Sequence, residues 1–221
     1  MEADHRRTRA PPSLAGAIDP LLIAAEEALR TLSGTVHPRR PAPGKGESEP
    51  TLIEERPHVV GLMRVNHAGE VCAQALYSGQ ALVARDPAVR KALQSAGAEE
   101  RDHLAWCRER LDELGSRPSL LDPLWYAGSF ALGLVSGLAG DRWSLGFLAE
   151  TEAQVERHLE GHLERLPADD RRSRAILEQM REDESRHAQT GRALGAAELP
   201  LSVKAAMRAF SKVMTRTAYR I

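Results

Sequence analysis

The sequence predicts an all-α protein built around a four-helix bundle. Aromatic residues make up only 4% of the 221 residues, and no segment alternates apolar and polar residues with a period of two, so the composition disfavours a β-sheet. Four segments instead carry apolar stripes at the three- and four-residue spacing of a helix face. Asp-Pro pairs at 86–87 and 122–123 mark helix starts, because aspartate caps a helix N-terminus and proline fits its first turn.

Residues 1–50 are predicted to be an N-terminal region without a compact fold of its own. Residues 1–18 are expected to be disordered, and a third Asp-Pro pair predicts a short helix over about 19–32. Residues 34–50 are rich in proline, glycine and charge, which is typical of a linker. The charged start of the chain lacks the apolar segment of a secretory signal.

Residues 51–221 are predicted to form one domain, which is large enough for a single apolar core. An apolar segment at 122–140 connects the second and third helices of the bundle, as the long crossover connection does in some bundles. A further amphipathic helix follows the bundle at about 201–219. The four bundle helices are expected at about 57–85, 87–115, 142–166 and 170–194.

The motif Glu-x-x-His occurs four times, and only its position in a helix gives it meaning. The copy at 2–5 lies in a charged tail, and the copy at 55–58 spans a proline; neither belongs to an apolar stripe. The copies at 100–103 and 184–187 fall within the stripes of the second and fourth bundle helices. These two copies are therefore the candidates for a functional site.

Single glutamates, Glu70 and Glu152, occupy core positions of the first and third bundle helices. Four buried carboxylates repel one another, and the stripes contain no lysine or arginine to neutralise them. Two divalent metal ions would balance this charge; oxygen-rich ligation with one histidine each favours iron or manganese, and the absence of thiolates argues against structural zinc. The predicted ligands are Glu70, Glu100, His103, Glu152, Glu184 and His187. Glu99, Glu150 and Glu156 lie close by in sequence and stay open as alternatives.

Three further histidines lie near the predicted ligands. His67 is one turn before Glu70, and His158 lies beside the stripe of the third bundle helix, so either could orient a ligating carboxylate. His162 is in phase with that stripe but two turns beyond Glu152, which is too far to ligate with it. The two cysteines have no metal-thiolate spacing and are expected to be buried free thiols in a reducing compartment.

Two segments indicate contact with lipid. Residues 123–140 are uncharged but marginal in length for crossing a membrane; they form either a buried crossover helix or one that lines a lipid-tail channel or dips into the bilayer interface. The last helix repeats a basic residue every four positions beside an apolar stripe, which suits either an anionic membrane surface or a solvated outer face of the bundle. The net charge of −1 gives no indication of nucleic-acid binding.

Four sequence runs closely resemble the demethoxyubiquinone hydroxylase family in its bacterial form. They lie at 62–70, 99–103, 117–125 and 182–187, and the resemblance covers about 55–221 but not the first 50 residues. It implies a ferritin-like fold, a centre of two iron ions and O2 as co-substrate. The implied reaction is hydroxylation of the ring of a 2-polyprenyl-3-methyl-6-methoxy-1,4-benzoquinol, a late step of ubiquinone biosynthesis.

The resemblance also carries expectations for individual residues and for location. The family's six ligands fall on the six positions that the helical spacing selects, and His158 matches a histidine that the family keeps beside the iron site. Where some members continue with a tyrosine, this chain has Leu159. The apolar crossover and the basic last helix together suggest peripheral membrane association, as an insoluble polyprenyl substrate requires. The expected location is the cytoplasmic face of the inner membrane, and other ubiquinone-biosynthesis proteins and a homo-oligomer are compatible with it.

A ferritin- or rubrerythrin-like protein that oxidises iron or reduces peroxide is the alternative on the same fold. Such proteins need no access for lipid, so the apolar crossover and the basic last helix count against them. Rubrerythrin-like proteins also usually carry paired Cys-x-x-Cys motifs, which this sequence lacks. A helical membrane adaptor without catalytic activity would leave the four carboxylates in the stripes unexplained.

Overall fold

The structure, a computed structural model, describes residues 14–46 and 54–221. These ranges contain seven α-helices and no β-strand, so the prediction of an all-α protein is confirmed. The helices are α1 (Leu14–Ser33), α2 (Arg56–Val83), α3 (Pro87–Glu113), α4 (Asp122–Leu138), α5 (Asp141–Arg165), α6 (Arg171–Ala193) and α7 (Leu201–Ala218).

Helices α2, α3, α5 and α6 form the bundle, each packing against two of the others. Two apolar clusters fill its interior. One includes Leu62 of α2, Trp106 of α3 and Met180 of α6, all of them buried. The other includes Tyr77 of α2 and Leu148 of α5. On α2, α3 and α5 the predicted ligands lie between the residues of these two clusters, and on α6 they follow Met180 of the first cluster, so a polar layer is enclosed by apolar side chains.

Helix α4 packs mainly against the outer side of α2, and two glycines permit the contact. A Cβ atom on Gly79 would lie 2.5 Å from the carbonyl oxygen of Phe130, and one on Gly133 would collide with the carbonyl oxygen of Leu76. The opposite face of α4 is exposed, with Val135 66% accessible to solvent. Helix α4 is therefore half-buried. It is neither the fully buried crossover helix of the first alternative nor fully exposed to lipid. Among the described residues, no helix is long and apolar enough to cross a membrane.

Helix α7 lies across α2 and α5. Its buried residues are Met214 and Ala218, and much of its remaining surface is exposed. Lys204, the first residue of the basic series, forms ion pairs with Glu198 at 3.2 Å and with Glu150 at 3.4 Å. Its charge is therefore matched within the protein, whereas the later basic residues of the series are exposed.

The Asp-Pro pairs mark helix starts with different accuracy. Asp86 caps α3 as predicted, because its Oδ1 accepts a hydrogen bond from the Ala88 amide at 2.8 Å. Asp122 lies one residue inside α4, whose N-cap is Leu121. The predicted start at 19 is wrong for α1, which begins at residue 14 and continues through Pro20. A proline within the first two turns removes one helical hydrogen bond and does not prevent earlier residues from being helical.

Residues 34–46, here named the strap, were expected to be a linker but pack on the bundle. Ala42 is 6% exposed and belongs to the apolar cluster around Trp106. Trp106 Nε1 donates a hydrogen bond to the carbonyl oxygen of Arg40 at 3.2 Å, and Arg172 donates to that of Pro43. Specific hydrogen bonds thus order a segment whose composition alone indicates a linker. The expectations for residues 1–13 and 47–53 lie outside the described residues, and the division at residue 50 stays a prediction.

Candidate metal centre

Six acidic and imidazole side chains converge in the polar layer of the bundle. They form two groups, in each of which the possible ligand atoms lie within 4.8 Å of one another. One group is Glu70, Glu100, His103 and Glu184; the other is Glu100, Glu152, Glu184 and His187. The structure thus brings together all six side chains that the sequence analysis selected. Glu100 and Glu184 belong to both groups, so they lie where two adjacent cations would share ligands.

The two shared carboxylates each offer one oxygen to each histidine. Glu100 approaches His103 Nδ1 with Oε2 at 3.0 Å and His187 Nδ1 with Oε1 at 3.0 Å. Glu184 approaches the same two nitrogens at 3.2 Å, with Oε1 toward His103 and Oε2 toward His187. Both imidazoles therefore present Nδ1 to the centre of the layer, where each lies near an oxygen of the two shared carboxylates. This symmetry suits two divalent ions bound side by side.

The outer nitrogen of each imidazole meets a second carboxylate. His103 Nε2 lies 2.9 Å from Asp183 Oδ2, and His187 Nε2 lies 3.3 Å from Glu99 Oε2. A carboxylate at Nε2 holds the proton on that nitrogen and leaves the Nδ1 lone pair directed at the centre. Glu99, an open alternative in the sequence analysis, thus lies outside the cluster. Asp183 was missed, because a residue directly beside a stripe position looks like a solvated charge in the sequence.

Burial and mutual repulsion set the ionisation of this layer. Burial raises the pKa of Glu70 and of Glu152 well above the ordinary value, and nearby carboxylates add to the effect. For Glu100, burial also acts to raise the pKa, but the adjacent imidazoles outweigh it and the pKa falls below its ordinary value. Four ionised carboxylates at this depth would require compensating positive charge.

Buried carboxylate oxygens without hydrogen-bond partners indicate that metal ions supply this positive charge. Glu70 Oε2 and Glu152 Oε1 are buried and have no hydrogen-bond partner among the described residues. A buried carboxylate oxygen without a partner is costly unless it coordinates a cation. The set of four carboxylates and two imidazoles, with no thiolate, is of the kind that iron and manganese accept. The cluster therefore fits a metal site.

An apolar cavity of about 470 Å³ reaches this cluster from the side of α2, α4, α5 and α7. Glu70 contributes to its wall, so the cavity leads from the protein surface to a predicted ligand. Leu132 and Phe210 line the cavity and are 39% and 37% exposed, which places its mouth between α4 and α7. Its lining also includes Cys72, Ala73, Leu76, Ser129, Thr151, His158, Ala206 and Met207.

A comparison with known protein families shows to which family this chain belongs. The family described as "Ubiquinone biosynthesis protein COQ7" matches residues 57–218, which contain the cavity and all of the bundle except the first residue of α2. The chain belongs to this family.

Curated relatives of this COQ7 family member are similar over almost their full length. They include proteins named 3-demethoxyubiquinol 3-hydroxylase from Polynucleobacter asymbioticus, 58% identical over 92% of this chain and 99% of the relative, and from Dechloromonas aromatica, 58% identical over 91% and 98%. The protein of that name from Cupriavidus taiwanensis is 59% identical over 92% of this chain and 100% of the relative. Alignments of this length extend beyond the start of α2 into the N-terminal region.

The three remaining histidines of the sequence analysis lie outside the ligand groups. His67 Nδ1 is 3.2 Å from Asp122 Oδ2, so it pairs with the start of α4. His162 Nδ1 is 2.9 Å from Asn66 Oδ1, and its ring centroid is 4.0 Å from that of His158. His158 lines the cavity, and its buried Nε2 has no hydrogen-bond partner in the described part of the chain. Neither His67 nor His158 is seen to orient a ligating carboxylate.

Burial of the histidine pair predicts a pH-dependent contribution to stability. Burial lowers the pKa of His162 to about 2 and that of His158 to about 4. Below the ordinary pKa of 6.5, the unfolded chain therefore binds a proton at position 162 that the folded protein does not, so the free energy of unfolding rises with pH in this range. We expect His162 to remove about 2 kcal/mol of stability as the pH falls from 7.5 to 5.

The prediction is tested by urea unfolding of the wild type and His162→Gln at both pH values. Because other titrating groups are common to both proteins, their stability difference should shrink by about 2 kcal/mol at the lower pH. His37→Gln, at an exposed position, should leave the difference unchanged. A His162→Gln difference that is the same at both pH values would contradict the prediction.

Proposed function

We propose that this protein is a di-iron monooxygenase that hydroxylates the ring of demethoxyubiquinol, the 2-polyprenyl-3-methyl-6-methoxy-1,4-benzoquinol of ubiquinone biosynthesis. The single observation that carries the proposal is the apolar cavity that ends at Glu70, because it joins a surface accessible to lipid with the carboxylate and histidine cluster. Membership in the COQ7 family and the name of its relatives, 3-demethoxyubiquinol 3-hydroxylase, support the same reaction.

The proposed iron ligands divide between the two groups of side chains. Glu70 and His103 would hold one iron ion, and Glu152 and His187 the other. Glu100 and Glu184 would bridge the pair. When bound, the two iron ions would supply the redox chemistry by which dioxygen is reduced. One oxygen atom would enter the ring and the other would leave as water, with two electrons from an external reductant and two protons.

The protein itself contributes orientation and exclusion of water. Asp183 and Glu99 hold the histidine rings with Nδ1 inward, while the apolar clusters on both sides keep bulk water from the polar layer. His158 lies on the cavity wall, and its Nε2 has no hydrogen-bond partner among the described residues. We therefore propose that it forms a hydrogen bond with a ring oxygen of the quinol rather than with a metal ligand. The prenyl tail would extend along the apolar lining toward the mouth.

A bulky residue at the cavity wall should discriminate between substrates by tail length. Ala206 of α7 lines the cavity, whereas the neighbouring Ala205 does not, and both are exposed. We expect Ala206→Trp to raise KM for a long-tailed quinol about tenfold, which corresponds to the loss of about 1.4 kcal/mol of apolar contact. KM for a quinol with a single prenyl unit should change little.

The comparison is made by steady-state kinetics with both quinols. Ala205→Trp adds the same indole to the same helix outside the cavity and should behave like the wild type. An equal effect of Ala206→Trp on both substrates would place the tail elsewhere.

We propose further that the surface around the mouth associates peripherally with the membrane that holds the substrate. Apolar residues are exposed on α4 and α7, the two helices that flank the mouth, among them Leu124 (60%), Leu138 (62%), Leu201 (80%) and Val213 (56%). Exposed basic residues accompany them on or just beyond α7: Arg208, Lys212, Arg216 and Arg220. Exposed apolar and basic side chains together favour binding to an anionic bilayer surface. We place this surface on the cytoplasmic face of the inner membrane.

Vesicle flotation tests the membrane association. The protein should float more strongly with anionic than with neutral vesicles, and equal flotation would contradict binding through the basic residues.

The proposed reaction is tested with iron-loaded protein, demethoxyubiquinol, a reductant and isotopically labelled dioxygen. The expected product is the hydroxylated quinol carrying one labelled oxygen atom, detected by mass spectrometry. Iron oxidation without any hydroxylated quinol would instead support the ferritin- or rubrerythrin-like alternative. A protein that binds no iron under anaerobic loading would overturn the metal centre itself.

A further inference from the structure

We propose that Arg40 of the strap is a positioning residue of the metal centre, through which docking of the strap and binding of metal are coupled. The proposal rests on the metal centre proposed above but not on the reaction that the centre performs. It concerns a segment that lies before the matched range of the family, 57–218.

Two buried aspartates beside the centre require positive charge of their own. Two divalent ions balance the four ligand carboxylates but leave Asp102 and Asp183, which are 2% and 0% exposed. Asp183 is the partner of His103 Nε2, so its position fixes the orientation of a proposed ligand. A buried carboxylate without a partner would be both destabilising and free to turn away from the imidazole.

Arg40 joins these two aspartates. Its Nε donates to Asp102 Oδ2 at 2.8 Å, and its Nη1 lies 2.8 Å from Asp183 Oδ2, the same oxygen that contacts His103. Arg186 also pairs with Asp183, through Oδ1 at 2.7 Å, but its side chain is 55% exposed, so solvent screens that pair more strongly. The guanidinium of Arg40 therefore holds the oxygen that orients His103.

Contacts on the strap and on α3 hold Arg40 itself in place. The Arg40 guanidinium carbon lies 4.8 Å from the ring centroid of Trp106, which is buried and whose own centroid is 5.3 Å from that of His103. The backbone amide of Arg39 donates to Asp102 Oδ1 at 2.6 Å. A planar guanidinium can stack on the indole and bond to two carboxylates at once, which a lysine ammonium cannot.

Strap docking and metal binding are coupled because Asp183 Oδ2 contacts both Arg40 of the strap and the proposed ligand His103. Undocking the strap removes the guanidinium from Asp183 Oδ2 and leaves only the contacts that Arg186 and Gln179 make with Oδ1. His103 is then held less firmly, so the affinity for metal falls. By linkage, metal that fixes His103 must stabilise the docked strap to the same extent. The strap contains no regular helix or strand and most of its residues are exposed, as is common in segments that open locally.

Metal affinity measures the first half of this coupling. Purified full-length protein is stripped with a chelator, and ferrous iron is titrated anaerobically in competition with a chromophoric chelator. We expect Arg40→Gln to weaken binding about 10- to 100-fold, the range seen when partners of metal-ligating histidines are removed. Arg40→Lys should be intermediate. Arg39→Gln, at an exposed side chain whose backbone amide is retained, should match the wild type.

Hydrogen exchange of the strap measures the second half. Peptides covering 34–46 should exchange faster after iron is removed from the wild type, and should exchange fast with or without iron in Arg40→Gln. Wild-type iron affinity in Arg40→Gln, or strap exchange that ignores iron in the wild type, would overturn the proposal. If Arg40→Gln does not fold, Arg40→Lys and the wild-type exchange data decide.

These readouts separate the coupling from the proposed reaction. Iron binding that depends on Arg40, in a protein that does not hydroxylate the quinol, would retain the coupling and reject the reaction. A wild type that binds no iron would overturn the metal centre and the coupling together.

Discussion

Replacing Glu184 by glutamine is expected to abolish binding of both metal ions and, with it, hydroxylation. Glu184 presents one oxygen toward His103 and the other toward His187, each at 3.2 Å. An amide offers only one oxygen, and that oxygen is neutral, so the side chain could no longer hold both ions or balance their charge. Because loss of a partner outside the ligand set costs 10- to 100-fold in metal affinity, loss of a bridging ligand should cost more than about 100-fold.

Metal content after anaerobic loading and labelled-product formation measure the effect. Glu152→Gln, which removes a ligand from one group only, should lower iron content by about one ion per chain rather than two. Glu182→Gln, an exposed carboxylate on the same helix, should retain full iron content and activity. A Glu184→Gln protein that keeps two iron ions and turns over would refute the assignment of this residue as a bridge.

Gly133→Ala is expected to be strongly destabilising, although Gly133 lies outside the metal centre. The new methyl group would collide with the carbonyl oxygen of Leu76 and lie 3.2 Å from the amide nitrogen of Gln80. Both atoms are backbone of α2 and cannot rotate away, so α4 would have to move off α2. Overpacking of a buried contact costs about 1–3 kcal/mol, and a collision with backbone should reach the upper end, about 3 kcal/mol.

Urea unfolding of the two proteins measures this cost. Gly128→Ala provides the matched control, because it is on the same helix and a Cβ there would have no atom within 4 Å. The control should stabilise the protein by about 0.5–1 kcal/mol, since alanine has the higher helix propensity. Similar effects of the two substitutions would mean that α4 does not pack closely on α2.

The sequence predicted the helices and the six converging side chains because both depend on local periodicity. A carboxylate such as Glu100 in an apolar stripe conflicts with burial unless it has a function, and four such conflicts on four helices indicate one shared site. The copy of Glu-x-x-His at 55–58, which lies outside the apolar stripes, belongs to neither ligand group. His58 contacts Tyr219 Oη at 2.7 Å and the carbonyl oxygen of Arg165, far along the chain from any predicted ligand.

The contacts that surround the six ligands could not be predicted, because they join residues that are distant in sequence. Asp183 meets His103 across 80 positions, and Arg40 meets Asp102 across 62. Nothing in the composition of 34–50 distinguishes a docked strap from a linker, since its hydrogen bonds are made largely by backbone groups and long polar side chains. Likewise, the spacing that left Glu99 open as a ligand could not indicate that it bonds to the outer nitrogen of His187.

The sequence by itself determined the class of fold, the helices and the carboxylate and histidine set, because side-chain periodicity along a helix fixes which residues share a face. Only the tertiary structure decided which carboxylates lie in both ligand groups, which nitrogen of each imidazole points inward, and that an apolar cavity reaches Glu70. These features depend on the rotation and separation of neighbouring helices. Close contacts such as Gly133 on Leu76 set that geometry, and no single segment encodes it.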